Sequence, residues 1–264
     1  MGNQCNELLK SCTNREHLTE TCEEDRPHLI TNVETTIGTT PDMVMTEVIH
    51  QHLDEKGLLP SEHVVDAGYV DAEALVKSEK EHQIKLTGPV QVDHSWQSRH
   101  SPEYMASCFA IDWKAQKVTC PQGEISRKWV AGKNEHDGNV IFVEFGKASC
   151  RSCLKRASCT QAKEGPRGLT LKPKEEYEAL QVAREQQKTK EWKADYDLRA
   201  GVEGTISQGV QSFGMRKCRY AGLAKTGLQH FAEAAAMNLA RMAAWLEEKP
   251  LAQTRTSAFA RLVA

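Results

Sequence analysis

Three groups of side chains in this sequence have the types and spacing to do chemistry. Asp66 ends the short apolar run His63-Val64-Val65 and is followed by Ala67-Gly68-Tyr69. In open α/β sheets the carboxyl ends of strands are where ligands bind, and a tight turn after the acid leaves it well exposed. A helix cap is the plain alternative, but Asp71 already fills that role for the helix that follows. Arg199 and Tyr196 lie four and seven residues before Glu203, so on a helix a cation and a phenol flank that carboxylate. From spacing alone, an i,i+4 ion pair on a solvated face explains Arg199 and Glu203 as well. Cys150, Cys153 and Cys159, with Cys120 one hairpin upstream, offer four thiolates of the kind tetrahedral Zn²⁺ takes. Free thiols are the alternative, and an iron–sulfur cluster would use the same donors.

Other chemistries find no motif. Gly222-Leu223-Ala224-Lys225-Thr226 ends like a phosphate loop, but Ala224 stands where glycine is required and no strand precedes it. The sequence has no H-E-x-x-H, G-x-S-x-G or G-x-G-x-x-G. Among scattered histidines, His28, His63 and His94 read as core or surface residues. Trp192 could stack on a base, yet reads better as a packing anchor. The net charge of −2 hides an asymmetry: Lys147 to Lys225 holds 17 Lys and Arg against 9 Asp and Glu, the remainder 17 against 27. A basic half can attract a polyanion and an acidic half can hold divalent metal, although Lys-rich solvated helices give the same count.

The elements that must position these groups follow from periodicity. Residues 29–36 (LITNVETT), 63–66 (HVVD) and 84–90 (IKLTGPV) read as strands. A helix opens at Pro41-Asp42, with Val44, Val48, Ile49 and Leu53 apolar, and another follows Asp71. Strand, helix, strand, helix, strand is an α/β core. Short strands at 109–113, 117–120 and 140–145 form a mainly β module with most of the cysteines. After Pro173 the chain turns helical, and Tyr220 to Glu248 is a long amphipathic helix. Its apolar positions Leu223, Leu228, Phe231, Ala235, Leu239, Met242 and Leu246 are expected to pack on the core. No apolar run is long enough for a membrane span, and no export signal opens the chain. With nine cysteines and no such signal, disulfides are not expected.

HLTETC…PHLITNVETT, SEHVVDAGYVDAEAL and YDLRAGVEGTISQGVQSFGMRKCRYAGLAKTGLQH occur in order and resemble the DDE transposases of bacterial insertion sequences, from about residue 17 to 247. The resemblance implies an RNase H-like mixed sheet with flanking helices, interrupted by a small cysteine-rich insertion. It implies two Asp and one Glu holding two Mg²⁺, with Mn²⁺ able to substitute. Asp66 matches the second acid and Glu203 the third, within Tyr-x2-Arg-x3-Glu-x6-Lys, whose Lys position here holds Val210. Asp25 is taken for the first acid, with Glu23 as the alternative. Similar cysteines recur in the family, which favours structural Zn²⁺ on Cys120, Cys150, Cys153 and Cys159.

The expected organisation is an irregular segment 1–16, a first core part 17–90, the insertion 91–171, a helical second core part 172–248 and a tail 249–264. The implied activity is Mg²⁺-dependent cleavage and strand transfer of transposon-end DNA by a bacterial, cytoplasmic, nucleoid-associated enzyme, oligomeric when active. Tyr196, Arg199, Arg216, Lys217, Arg219 and Lys225 would contact DNA. Residues 1–16 look foreign to the family and the strand that should carry the first acid is shortened. The alternative is therefore an inactive truncated copy that only binds DNA or an intact partner.

Overall fold

β-branched residues and turn residues partition this chain into short strands between helices. A computed structural model describes residues 14–23, 26–135, 137–197 and 199–249. Asp25, Cys5 and Cys12 lie outside them. In chain order the elements are β1 (Asn14–Glu20), β2 (Ile30–Ile37), α1 (Asp42–Glu55), β3 (Glu62–Val64), α2 (Ala72–His82), β4 (Lys85–Thr87), α3 (Trp96–His100), β5 (Ala110–Asp112), β6 (Lys117–Thr119), β7 (Lys128–Lys133), β8 (Asn139–Glu144), α4 (Lys147–Ser152), α5 (Arg156–Cys159), β9 (Gly168–Leu171), α6 (Lys174–Gln186), α7 (Lys190–Asp197), α8 (Ala200–Gln208), a π-helical turn (Gly209–Phe213) and α9 (Leu223–Leu246). The architecture is mixed α/β with small sheets. No described helix is long and apolar enough to cross a membrane.

Two compact units divide the chain, one from residues 1–70, 77–89 and 189–264, the other from 71–76 and 90–188. In the first, β1 and β2 form an antiparallel pair running from Asn14↔Ile37 to Glu20↔Ile30. β1 therefore begins inside the segment 1–16 that reads as irregular, because Asn14, Arg15 and Glu16 are polar yet have β2 to pair with. β3 and β4 form a separate parallel pair. Strands expected to join one mixed sheet thus lie, among the described residues, in two sheets of two strands. Helix α1 buries Met45, Ile49 and Leu53, at i, i+4 and i+8, and leaves Val44 exposed. A hydrogen bond between His50 Nε2 and His63 Nδ1 (2.9 Å) ties α1 to β3. Burial pushes both imidazoles well below the ordinary histidine value, so the pair is neutral at physiological pH.

Helix α9 forms as expected but turns the other way. Leu228, Phe231, Leu239, Met242 and Leu246 are exposed, while Thr226, Gln229, His230, Ala234 and Met237 are buried. The buried side carries specific polar partners. Asn238 accepts from the Ile30 N–H and donates to the Ile30 carbonyl, both at 2.8 Å, and His230 Nδ1 meets Thr35 Oγ1 at 2.8 Å. These bonds to β2 decide which face of α9 is inside.

In the second unit, β7, β8 and β9 form a three-stranded antiparallel sheet and β5 and β6 a hairpin. Phe109, Val118, Val143, Phe145, Leu169 and Leu171 make its core, with Cys120, Cys150 and Cys159 packed against it. Strands β7 and β9 carry weak patterns and are not among the expected ones. Helix α6 belongs to this unit.

Two substitutions test this packing. A Cβ on Gly88 would lie 2.6 Å from Val70 Cγ2 and 2.7 Å from the Val65 carbonyl oxygen, and backbone cannot swing aside. Gly88→Ala is expected to destabilise the fold by about 1–3 kcal/mol in urea unfolding. Glu16 is buried between β1 and α9, and burial, helped by the nearby Glu233 carboxylate, pushes its carboxyl up to about 7. The folded chain then holds this proton more tightly than the unfolded chain, so stability falls as pH rises from 4.5 toward about 7. Glu16→Gln is expected to match the parent below about pH 4 and exceed it near pH 8 by on the order of 2 kcal/mol, read from urea midpoints at both pH values.

Candidate functional site

Strand β3 delivers Asp66. The Val65 N–H donates to the Thr87 carbonyl (2.8 Å), extending the β3–β4 pairing to the residue before the acid. The chain then makes a 3₁₀ turn, Ala67–Tyr69, closed by Tyr69 N–H to the Asp66 carbonyl (2.9 Å). Thr46 of α1 donates its hydroxyl to the Tyr69 carbonyl (2.7 Å), and the Tyr69 hydroxyl meets His17 Nδ1 of β1 at 2.5 Å. Burial pushes the Tyr69 phenol up to about 12, so it stays neutral in this contact. Asp66 is thereby fixed at its root and half exposed at its tip, with 51% of the side chain accessible.

The second carboxylate comes from far along the chain. Helices α7 and α8 are distinct, so Tyr196 closes one, Arg199 caps the other and Glu203 stands in its first turn. The three still converge. Arg199 donates from Nη2 to Asp66 Oδ2 at 2.5 Å, and its Nη1 lies 3.6 Å from Glu203 Oε1. One guanidinium, only 20% exposed, thus gathers Asp66 and Glu203. The Tyr196 hydroxyl reaches Asp66 Oδ1 at 3.5 Å, and burial together with the Asp66 charge raises its phenol above the ordinary value. Trp192 stacks on Tyr196, with ring centres 5.0 Å apart and planes 12° from parallel. It packs as the anchor of that phenol.

Of the residues offered for the first acid, Glu23 is exposed and pairs with Arg26 at 3.3 Å. Sequence reasoning passed over Glu20, the last residue of β1. Its carboxylate, 2% exposed, accepts from Arg241 Nη1 at 2.9 Å and from the Thr205 hydroxyl of α8. Arg241 also donates to the His28 carbonyl (2.6 Å) and to Gln208 Oε1 (2.9 Å). A carboxylate so fully engaged binds α8 to β1. The only signal for it in the sequence is its place at a strand end.

A cavity of about 270 Å³ opens beside Asp66 and Arg199, lined also by Val210 and Arg216. Arg216, Lys217 and Arg219 are exposed in the loop before α9, and Lys225 is exposed in its first turn. Gln229 shapes that loop by donating to the Lys217 carbonyl (2.8 Å) and accepting from the Arg219 N–H (3.0 Å). Thr226 is buried and donates to the Gly222 carbonyl at 2.9 Å, so its hydroxyl serves the helix start.

In the second unit, Cys120, Cys150, Cys153 and Cys159 line one cavity of about 40 Å³. Among the described residues, no three of these sulfurs lie within 4.8 Å of one another. Arg156 and Arg167 line the same cavity, and Arg156 Nη1 and Arg167 Nε are buried without partners. Burial raises the Cys159 thiol against the pull of Arg167. A separate group, Glu47, Glu81 and His82, brings ligand-type atoms within 4.8 Å, with His82 Nε2 3.1 Å from Glu47 Oε1.

Residues 119–243 match the family model described as "Transposase DDE domain". That stretch holds Cys120, Cys150, Cys153 and Cys159, Tyr196, Arg199, Glu203 and the cations Arg216, Lys217, Arg219 and Lys225, and leaves Asp66 outside. No curated protein and no solved structure matches the chain. The matched stretch contains Glu203 and ends in α9, so this part of the chain is similar to a transposase DDE domain.

Proposed function

We propose that this chain cuts and rejoins DNA phosphodiester bonds at transposon ends, on an RNase H-like core, with Asp66 and Glu203 as its metal-holding acids. The observation that carries the reading is the convergence of these two carboxylates, distant in sequence, on one guanidinium. Both present exposed oxygens, the hard donors Mg²⁺ or Mn²⁺ prefers, and two carboxylates around one guanidinium leave a net negative charge that a divalent ion would meet. Asp25 is proposed as the first acid of the set, with Glu23 as the alternative. When bound, two such ions activate the attacking oxygen and stabilise the leaving one.

The chain's own residues do the positioning. Arg199 holds Asp66 and Glu203 at a fixed spacing. Tyr196, raised above its ordinary value, remains a neutral hydrogen-bond donor beside Asp66. Arg216, Lys217, Arg219 and Lys225 bind DNA phosphates, which gives affinity without sequence readout. Cys120, Cys150, Cys153 and Cys159 line one cavity and would take a structural Zn²⁺ once their side chains turn to bring the sulfurs, no three of which lie within 4.8 Å here, to tetrahedral spacing. The two buried guanidinium N–H groups without partners suit the net negative charge of a zinc tetrathiolate. The active form is an oligomer at the bacterial nucleoid.

Titration calorimetry with Mn²⁺ and nicking of a transposon-end duplex test the acids. Asp66→Ala and Glu203→Ala are expected to abolish both, and metal-dependent nicking that survives in Asp66→Ala sinks the assignment. Arg199→Gln removes a cation that competes with metal but also loosens the acids. It is expected to tighten Mn²⁺ binding about tenfold while slowing nicking. Lys217→Ala and Lys225→Ala should each reduce the slope of log affinity against log salt by about one, equally for all duplex sequences. For the cysteines, metal analysis of the purified chain should give one zinc, lost in Cys153→Ser.

A further inference from the structure

Helix α9 turns to solvent a face unlike that of an ordinary surface helix. Every exposed residue between Lys225 and Glu247 is apolar. A helix face that meets water normally carries charged and polar residues. Leu228 is 70% exposed and Leu246 71%, so the face is open at both ends. Rolling α9 to cover it would break the bonds that Asn238 and His230 make to β2. On a helix of about 3.6 residues per turn, Leu228, Phe231, Ala235, Leu239, Met242 and Leu246 fall within about 40° of one line. They form a ridge about 27 Å long. A contiguous exposed apolar patch rimmed by polar residues marks a contact surface.

We propose that this ridge is the contact between two copies of the chain, whose α9 helices pack antiparallel about a two-fold axis at Ala235. The inference rests on the oligomeric form proposed above, not on the phosphoryl chemistry. The order of residues along the ridge points to a second copy as the occupant. Counted from Ala235, Phe231 and Leu239 lie four residues away on either side, Leu228 and Met242 seven, and Ala224 and Leu246 eleven. A two-fold antiparallel pair requires a stripe that reads alike in both directions. Phe231 then meets the partner's Leu239 while Leu239 meets the partner's Phe231. Ala235 stands at the axis, where a small side chain lets the backbones approach and larger ones interdigitate on both sides. Charge agrees with this direction. Arg219 and Lys225 make the start of the helix positive, and Glu247 and Glu248 outweigh Lys249 past its end. Antiparallel pairing sets unlike ends and opposed helix dipoles together, whereas parallel pairing would set like ends together. Lys225 lies about a quarter turn from the ridge line, on its rim, and stays open to DNA phosphates. A lipid surface fits less well. Its helices carry Lys and Arg along the polar face, and Lys225 is the one exposed cation in α9.

Sedimentation equilibrium on the full chain, without DNA, is expected to show a dimer with a dissociation constant on the order of 10 µM. Phe231→Glu should raise that constant at least about a hundredfold and leave the far-ultraviolet circular dichroism unchanged, because the side chain is exposed. Adding Leu239→Lys to the same chain should bring the constant back to within about tenfold of the parent. Antiparallel packing sets each introduced acid against an introduced base, and parallel packing would set like charges together. Three results overturn the proposal. A parent chain that stays monomeric at about 100 µM leaves the ridge to residues 250–264 of the same chain or to a different protein. If that monomer still assembles on a transposon-end duplex, the oligomeric form survives without this contact; if it does not, both fall. A dimer indifferent to Phe231→Glu places the contact elsewhere and leaves the oligomeric form standing. Dissociation by Phe231→Glu with no recovery on adding Leu239→Lys excludes the antiparallel arrangement.

Discussion

The Glu20–Arg241 ion pair is the interaction on which the first unit depends. A side chain so polar with 2% of its surface accessible must have its oxygens hydrogen-bonded, and Arg241 meets that demand while reaching three other groups. Its contacts span the end of β1, the chain at His28 and helix α8. The position of Glu203 follows, because α8 is held against β1 at Thr205, two residues further on. Replacing this pair by apolar side chains of similar volume could preserve stability, but it would remove the directional bonds that fix where α8 begins.

A second constraint acts on Asp66 itself. The acid ends a three-residue strand too short to hold itself in place, and its turn is pinned by Thr46, His17 and the paired His50 and His63. Two supports of unrelated origin, one through α1 and one through Arg241, therefore bring Asp66 and Glu203 to the same guanidinium. The balance of charge at that point is two carboxylates against one cation, an excess of negative charge that a divalent ion or a phosphate-bound cation can meet.

Much of the side-chain cluster proposed as the site was legible because its residues sit at spacings that physics makes meaningful. Asp66 stood out as an acid after an apolar strand, and Tyr196, Arg199 and Glu203 as neighbours at helical separation. Their grouping survives even though α7 and α8 are separate helices, since Arg199 keeps helical backbone angles at the junction. Glu20 was not legible, because a buried ion pair across 221 residues leaves no local pattern. The orientation of α9 was hidden for a related reason. Periodicity reveals that a helix has an apolar face but not that Asn238, His230 and Gln229 on another face have partners waiting on β2 and the preceding loop. Likewise β1 begins earlier than its composition suggests, because pairing with β2 outweighs the low strand propensity of Asn14 and Glu16.

The outward side of α9 has a colloidal consequence. Leu228, Phe231, Leu239, Met242, Trp245 and Leu246 place a nearly continuous oily ridge along a helix of 24 residues. A chain with a net charge of only −2 has little long-range repulsion to keep such ridges apart. Sulfate and other excluded salts raise the free energy of that wetted ridge, so the protein is expected to leave solution at modest salting-out strength and to adhere to alkyl and phenyl surfaces. The same polar contacts that fix the inner side of α9 thus govern how the molecule behaves in concentrated solution.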